Sequence, residues 1–355
     1  MAEDTFTEFI VPGTFIRVQS EGLISVGGIS AGNIGIVGTA AQGTEQTHLL
    51  SDYAGALGKL GNYDAYSAGT LNLARAVELL YKNGARTVFA RALAAGADKA
   101  DFTAAFNELV KEDINIVVAP ELSTTDAKEV LGALVASAEA NGRDLIAVIG
   151  SDATTTDNIK AQVVKNGRIV MTTPGVVAFD AIAKTDVALS GTYSAAAVAG
   201  LISSLAPQAS PTNKVLPGVV KLANRFTYGE VKDLLQSRFL VLEDRQGIRV
   251  VRGLTTDDAA YKQITTRRIV DYAKAGIRQA CDPFIGRLNN QRVRKAMQGT
   301  IDGFLTTMVQ DEALTGYTLN VSATRADEIA GRAIVNAVLQ PTFSIDFVAV
   351  TLVLQ

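Results

Sequence analysis

The chain has 355 residues, of which 48% are hydrophobic, 19% charged and 6% aromatic, and its formal net charge is -3. This composition excludes a mainly disordered protein, and the length exceeds the roughly 250 to 300 residues that one hydrophobic core usually serves, so two domains are predicted. One cysteine and one histidine cannot form an intrachain disulfide or a Cys/His zinc site, no apolar run reaches the ~20 residues of a membrane span, and the acidic start MAEDTFTEF lacks the features of a signal peptide.

An N-terminal arm, residues 1–22, precedes a predicted α/β domain, residues 23–254. The arm contains a strand-like run from Thr14 to Ser20. In the domain, short β-branched runs at 34–37, 87–91, 114–119, 145–149 and 168–172 alternate with helical segments at 70–83, 101–111, 126–140 and 157–165. Strands of about five residues separated by crossover helices predict a mainly parallel, doubly wound sheet covered on both faces.

Chemical motifs in this domain are weak. Gly28-Ile29-Ser30-Ala31-Gly32 matches the G-x-S-x-G of hydrolases, but Ser30 precedes a strand and not a helix, which favours a glycine turn. Gly58-Lys59 lacks the remaining residues of a phosphate-binding loop, and His48 is expected in a surface loop. Asp152 to Thr156 faintly matches a metal-binding loop, although helix capping explains the same residues. We predict no catalytic, cofactor-binding or metal-binding residue; a ligand site near 38–43 or 152–156 remains the alternative.

The second half of the chain is predicted to contain a hairpin and two long helices. An Ala/Ser-rich helix and a proline-punctuated connection occupy 191–218, and Asp244-Arg245-Gln246-Gly247 is expected to turn a hairpin between 239–243 and 248–252. Two helices in a second domain, residues 255–331, carry apolar stripes. The stripes are Ile269, Tyr272, Ala273, Gly276 and Ile277, and Val293, Met297, Ile301, Phe304 and Met308.

Residues 262–295 are strongly basic, with nine basic side chains against two acidic ones. Such a stretch is compatible with nucleic-acid phosphates, with a charged protein partner or with a solvated helix face. The rest of the chain is acidic and no nucleic-acid-binding module is recognisable, so we expect no nucleic-acid partner. The other two alternatives stay open.

The last segment, residues 332–355, is predicted to be a strand pair that ends in an extended arm. A strand-like run at 333–339 breaks at Pro341 and resumes as FSIDFVAVTLVL. One face of this last strand would carry Phe343, Ile345, Phe347, Ala349, Thr351 and Val353. On the opposite face, Val348, Val350, Leu352 and Leu354 make the second half of the strand apolar on both faces. An unpaired apolar strand at a free end is an aggregation hazard, so we expect it to pair with another strand.

Taken in order, these segments resemble those of the tail sheath proteins of contractile phages and related injection machines. The resemblance lies in Val11-Pro12-Gly13-Thr14-Phe15, Gly35-Ile36-Val37-Gly38-Thr39-Ala40, Ala76-Val77 through Asn83-Gly84-Ala85 to the run 88–91, Arg267-Arg268-Ile269-Val270, Phe284-Ile285-Gly286-Arg287 and the run 335–350. It implies a non-enzymatic structural subunit, without a cofactor, that polymerises with itself around an inner tail tube. Contraction of this sheath is implied to drive the tube through a target cell envelope.

The same resemblance implies roles for individual residues. Terminal strands would be lent to neighbouring subunits by β-augmentation, which here concerns Thr14, Phe15, Ile16, Val18, Phe347, Val348, Val350, Leu352 and Leu354. The second domain, residues 255–331, would face inward and contact the tube through charged side chains. The local positive charge favours Arg287, Arg292, Arg294 and Lys295 for this contact. Baseplate and tail terminator proteins are the other implied partners, with assembly in the bacterial host cytoplasm into a tail or injection-system particle.

Overall fold

The computed structural model describes residues 28–66 and 70–353, so the predicted N-terminal arm and Leu354 lie outside the described residues. Up to residue 250 the elements are β1 (Ile34–Thr39), β2 (Thr47–Leu50), α1 (Tyr53–Leu60), α2 (Leu73–Lys82), β3 (Val88–Leu93), α3 (Lys99–Leu109), β4 (Ile116–Val118), α4 (Thr124–Ala140), β5 (Ile146–Gly150), α5 (Thr156–Ala161), β6 (Ile169–Thr173), β7 (Val176–Asp180), β8 (Thr185–Ala188), α6 (Ser194–Ser204), β9 (Lys221–Leu222), α7 (Tyr228–Gln236), β10 (Phe239–Asp244) and β11 (Ile248–Val250). They are followed by α8 (Ile264–Cys281), α9 (Gln291–Gln310), β12 (Leu314–Ser322), α10 (Arg325–Ile329) and β13 (Ile334–Pro341).

The central sheet has eight strands in the order β11-β10-β6-β5-β4-β1-β3-β2. Strands β10 through β3 run parallel to their neighbours, and the edge strands β11 and β2 are antiparallel. Because β1, β4, β5 and β6 are buried along their whole length, their sequences contain no charged residue and are mostly apolar, with threonine only at the ends of β1 and β6. The predicted doubly wound sheet and the hairpin β10–β11 are confirmed. The prediction for His48 was wrong: it lies in the edge strand β2, opposite Ala90, because a four-residue strand gives too little alternation to be recognised.

Helices cover both faces of this sheet, and each face has its own hydrophobic core. Helices α1, α2 and α6 pack on one face, and α3, α4, α5 and α7 pack on the other. Helix α6 lies between α2 and the sheet and is buried along nearly its whole length. Its small residues permit that close packing, since a Cβ atom at Gly200 would lie 2.5 Å from the carbonyl oxygen of Leu80.

A separate three-stranded sheet, in the order β8-β7-β9, was not predicted. An ion pair joins it to α2, with a guanidinium nitrogen of Arg75 3.0 Å from a carboxylate oxygen of Asp180 and both side chains buried. Desolvation opposes ionisation of Asp180, but hydrogen bonds from the backbone N–H groups of Ala183, Tyr66 and Ile182 and from Arg75 lower its pKa to about 2. The charged form is therefore the one that holds the small sheet in place.

The C-terminal domain consists of α8 and α9 with a two-stranded antiparallel sheet, β12–β13, packed beside them. The predicted stripes meet in its core through Ile269, Ala273, Ile301, Phe304 and Met308. Close crossing of the two helices requires a glycine in α8, since a Cβ atom at Gly276 would lie 2.0 Å from Cζ of Phe304. Among the described helices, none combines the length and the apolar character that a membrane crossing requires.

Candidate assembly surfaces

The first candidate surface is the β12–β13 sheet, hereafter the ribbon. Its two strands pair from Leu314 opposite Pro341 to Ser322 opposite Ile334. Alternate side chains, including Tyr317, Leu319, Val335 and Leu339, pack towards α8 and α9, which gives the ribbon one core-facing side. Within the described residues neither outer edge of the ribbon pairs with a further strand. Two rows of main-chain donors and acceptors are thus available to other strands.

The second candidate surface is the segment that follows the ribbon, residues 342–353, hereafter the arm. The arm contains no strand or helix, and its large apolar side chains are strongly exposed, from 64% to 85%. They are Phe343, Ile345, Phe347, Val348, Val350, Leu352 and Val353. Only the first member of the predicted strand pair is therefore formed, as β13, and its partner is β12. The sequence FSIDFVAVTLVL has strand character, but its described part, residues 343–353, pairs with no strand of its own chain.

The third feature is a network of charges that joins α8 to the α/β domain of residues 28–254, hereafter the outer domain. The Arg168 side chain, 3% exposed, lies 2.6 Å from Glu139, 2.7 Å from Asp144 and 3.0 Å from Asp271 on α8. Asp271 also pairs with Arg267, and Asp144 with Lys274 and Arg278. Desolvation works against ionisation of Asp144, but hydrogen bonds from Lys274 and Arg278 lower its pKa.

This network changes the interpretation of the basic stretch. Arg267, Lys274 and Arg278 are each paired with an acid of the same chain, so they are not free to form a separate basic face. Arg268 is also buried and donates to the carbonyl oxygens of Ala31, Leu205 and Ala206. Burial of this cation lowers its pKa to about 10. The first half of the stretch therefore fixes the domains to each other.

The second half of the stretch contains the four side chains predicted to contact a tube. Arg287, Arg292 and Lys295 are exposed and form no ion pair within the described residues. Arg294 is only partly exposed, and it donates to Glu328 at 3.0 Å and to the side chain of Asn289 at 2.8 Å. The loop between α8 and α9 also exposes Ile285 and Leu288, at 77% and 79%, and neither residue was predicted to take part in the contact. The sequence signal that could have identified them is a pair of large apolar residues close to Gly286, in a short connection between two long predicted helices.

The alternative ligand site corresponds to an open crevice of about 750 Å³ at the carboxyl edge of the sheet. Thr39 donates to Glu121 from its backbone N–H at 3.0 Å and from its hydroxyl at 2.6 Å. Desolvation of the Glu121 carboxylate raises its pKa to about 7, although the hydrogen bonds from Thr39 act in the opposite direction. Asp152 accepts hydrogen bonds from the Thr124 backbone and from Gln162. In residues 28–66 and 70–353, no three His, Cys, Asp or Glu side chains are grouped so that they could hold a metal ion.

Comparisons with known proteins were made for sequence and for structure. The phage tail sheath protein central domain matches residues 95–256, and the phage tail sheath C-terminal domain matches residues 256–355. A search of curated proteins found no match. A chain of the anti-feeding prophage (AFP) baseplate is 20% identical, with 98% of this chain and 100% of that chain covered and a TM-score of 0.77.

Two sheath structures in the contracted state are similar as well. The AFP helical sheath is 20% identical, with 98% of this chain and 99% of that chain covered and a TM-score of 0.75. The PVC sheath complex, from an extracellular contractile injection system, is 17% identical, with 98% of each chain covered and a TM-score of 0.76. At these identities the likeness shows a shared fold over almost the whole chain.

Proposed function

The chain belongs to the phage tail sheath protein family, whose two domain models together cover residues 95–355, and we propose that it polymerises into a helical tube around an inner tail tube. It is a structural subunit of a contractile sheath. We assign it no catalytic role and no cofactor. Contraction of the polymer would drive the tube through the envelope of a target cell.

The observation that carries the assembly mechanism is the combination of an open ribbon with an exposed apolar arm in the same chain. In β-augmentation, an extended segment pairs with a free sheet edge and gains main-chain hydrogen bonds. We propose that the arm of one subunit pairs with an edge of a neighbour's ribbon. The second edge is then available to the strand predicted at Thr14 to Ser20 of another copy.

The energetics explain why a sheet edge suits this arm. Full burial of Val348, Val350, Leu352 and Val353, now 74% to 85% exposed, would gain about 6–12 kcal/mol at roughly 1.5–3 kcal/mol per side chain. Ordering the six residues 348–353 costs a comparable amount, at about 1–2 kcal/mol per residue. The surplus must then come from main-chain hydrogen bonds, at about 1 kcal/mol each, and a free sheet edge supplies them.

The charge network around Arg168 supports a particular kind of contraction. Four cations and three acids tie α8 to the outer domain, and most of the acid atoms are shielded from water. Such a joint favours a subunit that moves as one body while its lent strands act as tethers. The energy of contraction then lies in the difference between two packings of the same subunit surfaces, without nucleotide or metal.

For the tube contact we propose the loop between α8 and α9 together with the first turns of α9. Arg287, Arg292 and Lys295 supply exposed positive charge, and Ile285 and Leu288 supply apolar area beside it. Arg294 is a weaker candidate because its guanidinium is already engaged by Glu328. The remaining proposed partners are the inner tube, baseplate and tail terminator proteins. We also propose assembly in the cytoplasm of a bacterial host.

Negative-stain electron microscopy of the purified protein tests the proposal. We expect hollow cylinders of uniform width from the full chain, and folded but unassembled subunits after deletion of residues 348–355. Val350→Asp should also prevent assembly, because a charge would enter the paired strand. Val220→Asp is the matched control, since Val220 is similarly exposed, at 70% against 74%, but lies outside the arm. Ordered cylinders from the truncated protein would rule out strand lending by this arm.

A further inference from the structure

The arm is attached to its own subunit at one acidic side chain. The side chain of Asp346 is 6% exposed, although apolar neighbours on both sides of it are strongly exposed. Its carboxylate lies 2.7 Å from Nε of Arg252, 3.2 Å from Nε2 of Gln263 and 3.3 Å from Oγ1 of Thr212. We call this group of four side chains the Asp346 clamp.

The clamp has a second layer of contacts along the arm. The backbone N–H of Ser344 donates to Oε1 of Gln263 at 3.3 Å, and Nε2 of Gln263 lies 3.4 Å from the carbonyl oxygen of Ser344. On the other side of Asp346, the Arg252 guanidinium stacks over the ring of Phe347, with 5.0 Å to its centroid. The clamp therefore holds residues 344–347 through both main chain and side chains.

The other members of the clamp are themselves fixed. Thr212 Oγ1 accepts a hydrogen bond from the backbone N–H of Gly253 at 3.0 Å. A Cβ atom at Gly253 would lie 2.6 Å from Cγ of Pro211, so the two segments touch closely. Leu254 and Gln263 form a β-bridge immediately before α8. The clamp thus sits where the outer domain continues into the C-terminal domain.

Beyond Phe347 the situation changes completely. No side chain from 348 to 353 forms a hydrogen bond or an ion pair within residues 28–66 and 70–353, and Val348, Val350 and Leu352 are at least 74% exposed. Breaking this partly buried ion pair and its hydrogen bonds would leave the shielded Asp346 carboxylate without a partner, which is costly. The clamp therefore marks a boundary between a fixed and a free part of the arm.

We propose that the Asp346 clamp is the positioning site for the lent strand, so that residues 342–347 remain with their own subunit on assembly and only residues 348–355 cross to the neighbour. This inference rests on the strand lending proposed above. Eight extended residues reach about 26 Å at roughly 3.3 Å each. Because a slip of one residue turns every side chain of a strand to the opposite face, a fixed starting point also sets the register of the lent strand.

The test uses the full-length chain and two kinds of variant. Asp346→Asn keeps the size of the side chain but removes its charge, and we expect it to raise the critical concentration for cylinder formation at least tenfold. The double variant Arg252→Asp, Asp346→Arg should recover part of that loss. Lys111→Ala, which removes an exposed pair with Glu108, is the matched control and should leave assembly unchanged.

A covalent bridge gives the second readout. In a Cys281→Ala background, Thr212→Cys and Asp346→Cys can be joined by dibromobimane, which spans only a few ångströms. The bridged protein should assemble as the wild type does, since residues 342–347 never leave their subunit, whereas the unbridged double-cysteine protein should resemble Asp346→Asn.

The outcomes separate the two proposals. A wild-type protein that forms no cylinders argues against sheath assembly by this chain. If the wild type assembles but the bridge blocks assembly, or Asp346→Asn leaves the critical concentration unchanged, the positioning role of the clamp is wrong. A fall in the urea midpoint of the Asp346→Asn subunit that accounts for the whole assembly defect would equally overturn it in favour of a merely structural pair.

Discussion

Glu121 allows a quantitative prediction about the outer domain. Its carboxylate lies at the sheet edge beside β1, and a Cβ atom at Gly38 would lie 2.2 Å from its Oε1. Desolvation raises the pKa of Glu121 from its ordinary value of 4.5 to about 7. Between these values the unfolded chain is ionised at this residue while the folded chain still holds the proton. The Glu121 contribution to folding stability therefore falls as the pH rises from about 4.5 to about 7.

The size of this fall follows from the pKa difference. A difference of about 2.5 units corresponds to about 3 kcal/mol at roughly 1.4 kcal/mol per unit. Glu121→Gln resembles the protonated carboxyl in size and carries no charge. We therefore expect wild type and Glu121→Gln to have similar free energies of unfolding at pH 4.5, and the variant to be more stable by about 3 kcal/mol at pH 8.

Urea unfolding followed by circular dichroism at intervals from pH 4.5 to 8 measures this difference. Assembly should be suppressed in both proteins by deleting residues 348–355, so that subunit unfolding alone is observed. Glu312→Gln, at an exposed position, controls for the loss of one carboxylate. A free-energy difference between wild type and Glu121→Gln that stays constant over this pH range would refute the reasoning, because it would mean that Glu121 titrates alike in both states.

Two further predictions concern the C-terminal domain. Gly276→Ala should destabilise the subunit by about 1–3 kcal/mol, since the added methyl group meets the Phe304 ring. Gly299→Ala, on α9 with open space around it, should instead stabilise the subunit by about 0.5–1 kcal/mol. Urea midpoints measure both changes, and equal effects would argue against the packing described for α8 and α9. The triple change Arg287→Glu, Arg292→Glu, Lys295→Glu should abolish co-sedimentation of the sheath with its inner tube at low salt, yet leave empty cylinders intact. Undiminished tube binding would show that these three side chains, in the loop between α8 and α9 and at the start of α9, do not form the tube contact.

The parts of the fold that the sequence predicts are those whose pattern is local. Strands such as β5 and β6 are buried on both faces, so their apolar runs identify them directly. Helices α8 and α9 can be predicted from an equally local pattern, because their apolar stripes repeat with the helical period. The strand predicted after Pro341 is not formed within residues 343–353, and its pairing with another strand stays a prediction.

Features that depend on distant residues could not be predicted in this way. The small sheet β7–β9 is fixed by Arg75 and Asp180, which are separated by 105 positions. The basic stretch looks exposed in sequence, but Lys274 meets Asp144, 130 positions away. Asp346 looks like an isolated acid in an apolar strand, and only the fold brings Arg252 and Gln263 to it. In each case a charge is neutralised by a residue that no local pattern points to.

The ribbon also has a consequence for the two ends of a finished cylinder. If strands are exchanged as proposed, each ribbon edge in the interior of the lattice receives a strand and each arm pairs with an edge. At the two rims this balance would fail, because one end would present ribbons with an empty edge and the other would present arms whose exposed valines and leucines stay unpaired. Both rims would then still be able to bind further subunits, and ending the growth of the cylinder would require two different capping proteins. A cap at one end must supply a substitute strand, and a cap at the other must provide a groove that accepts one.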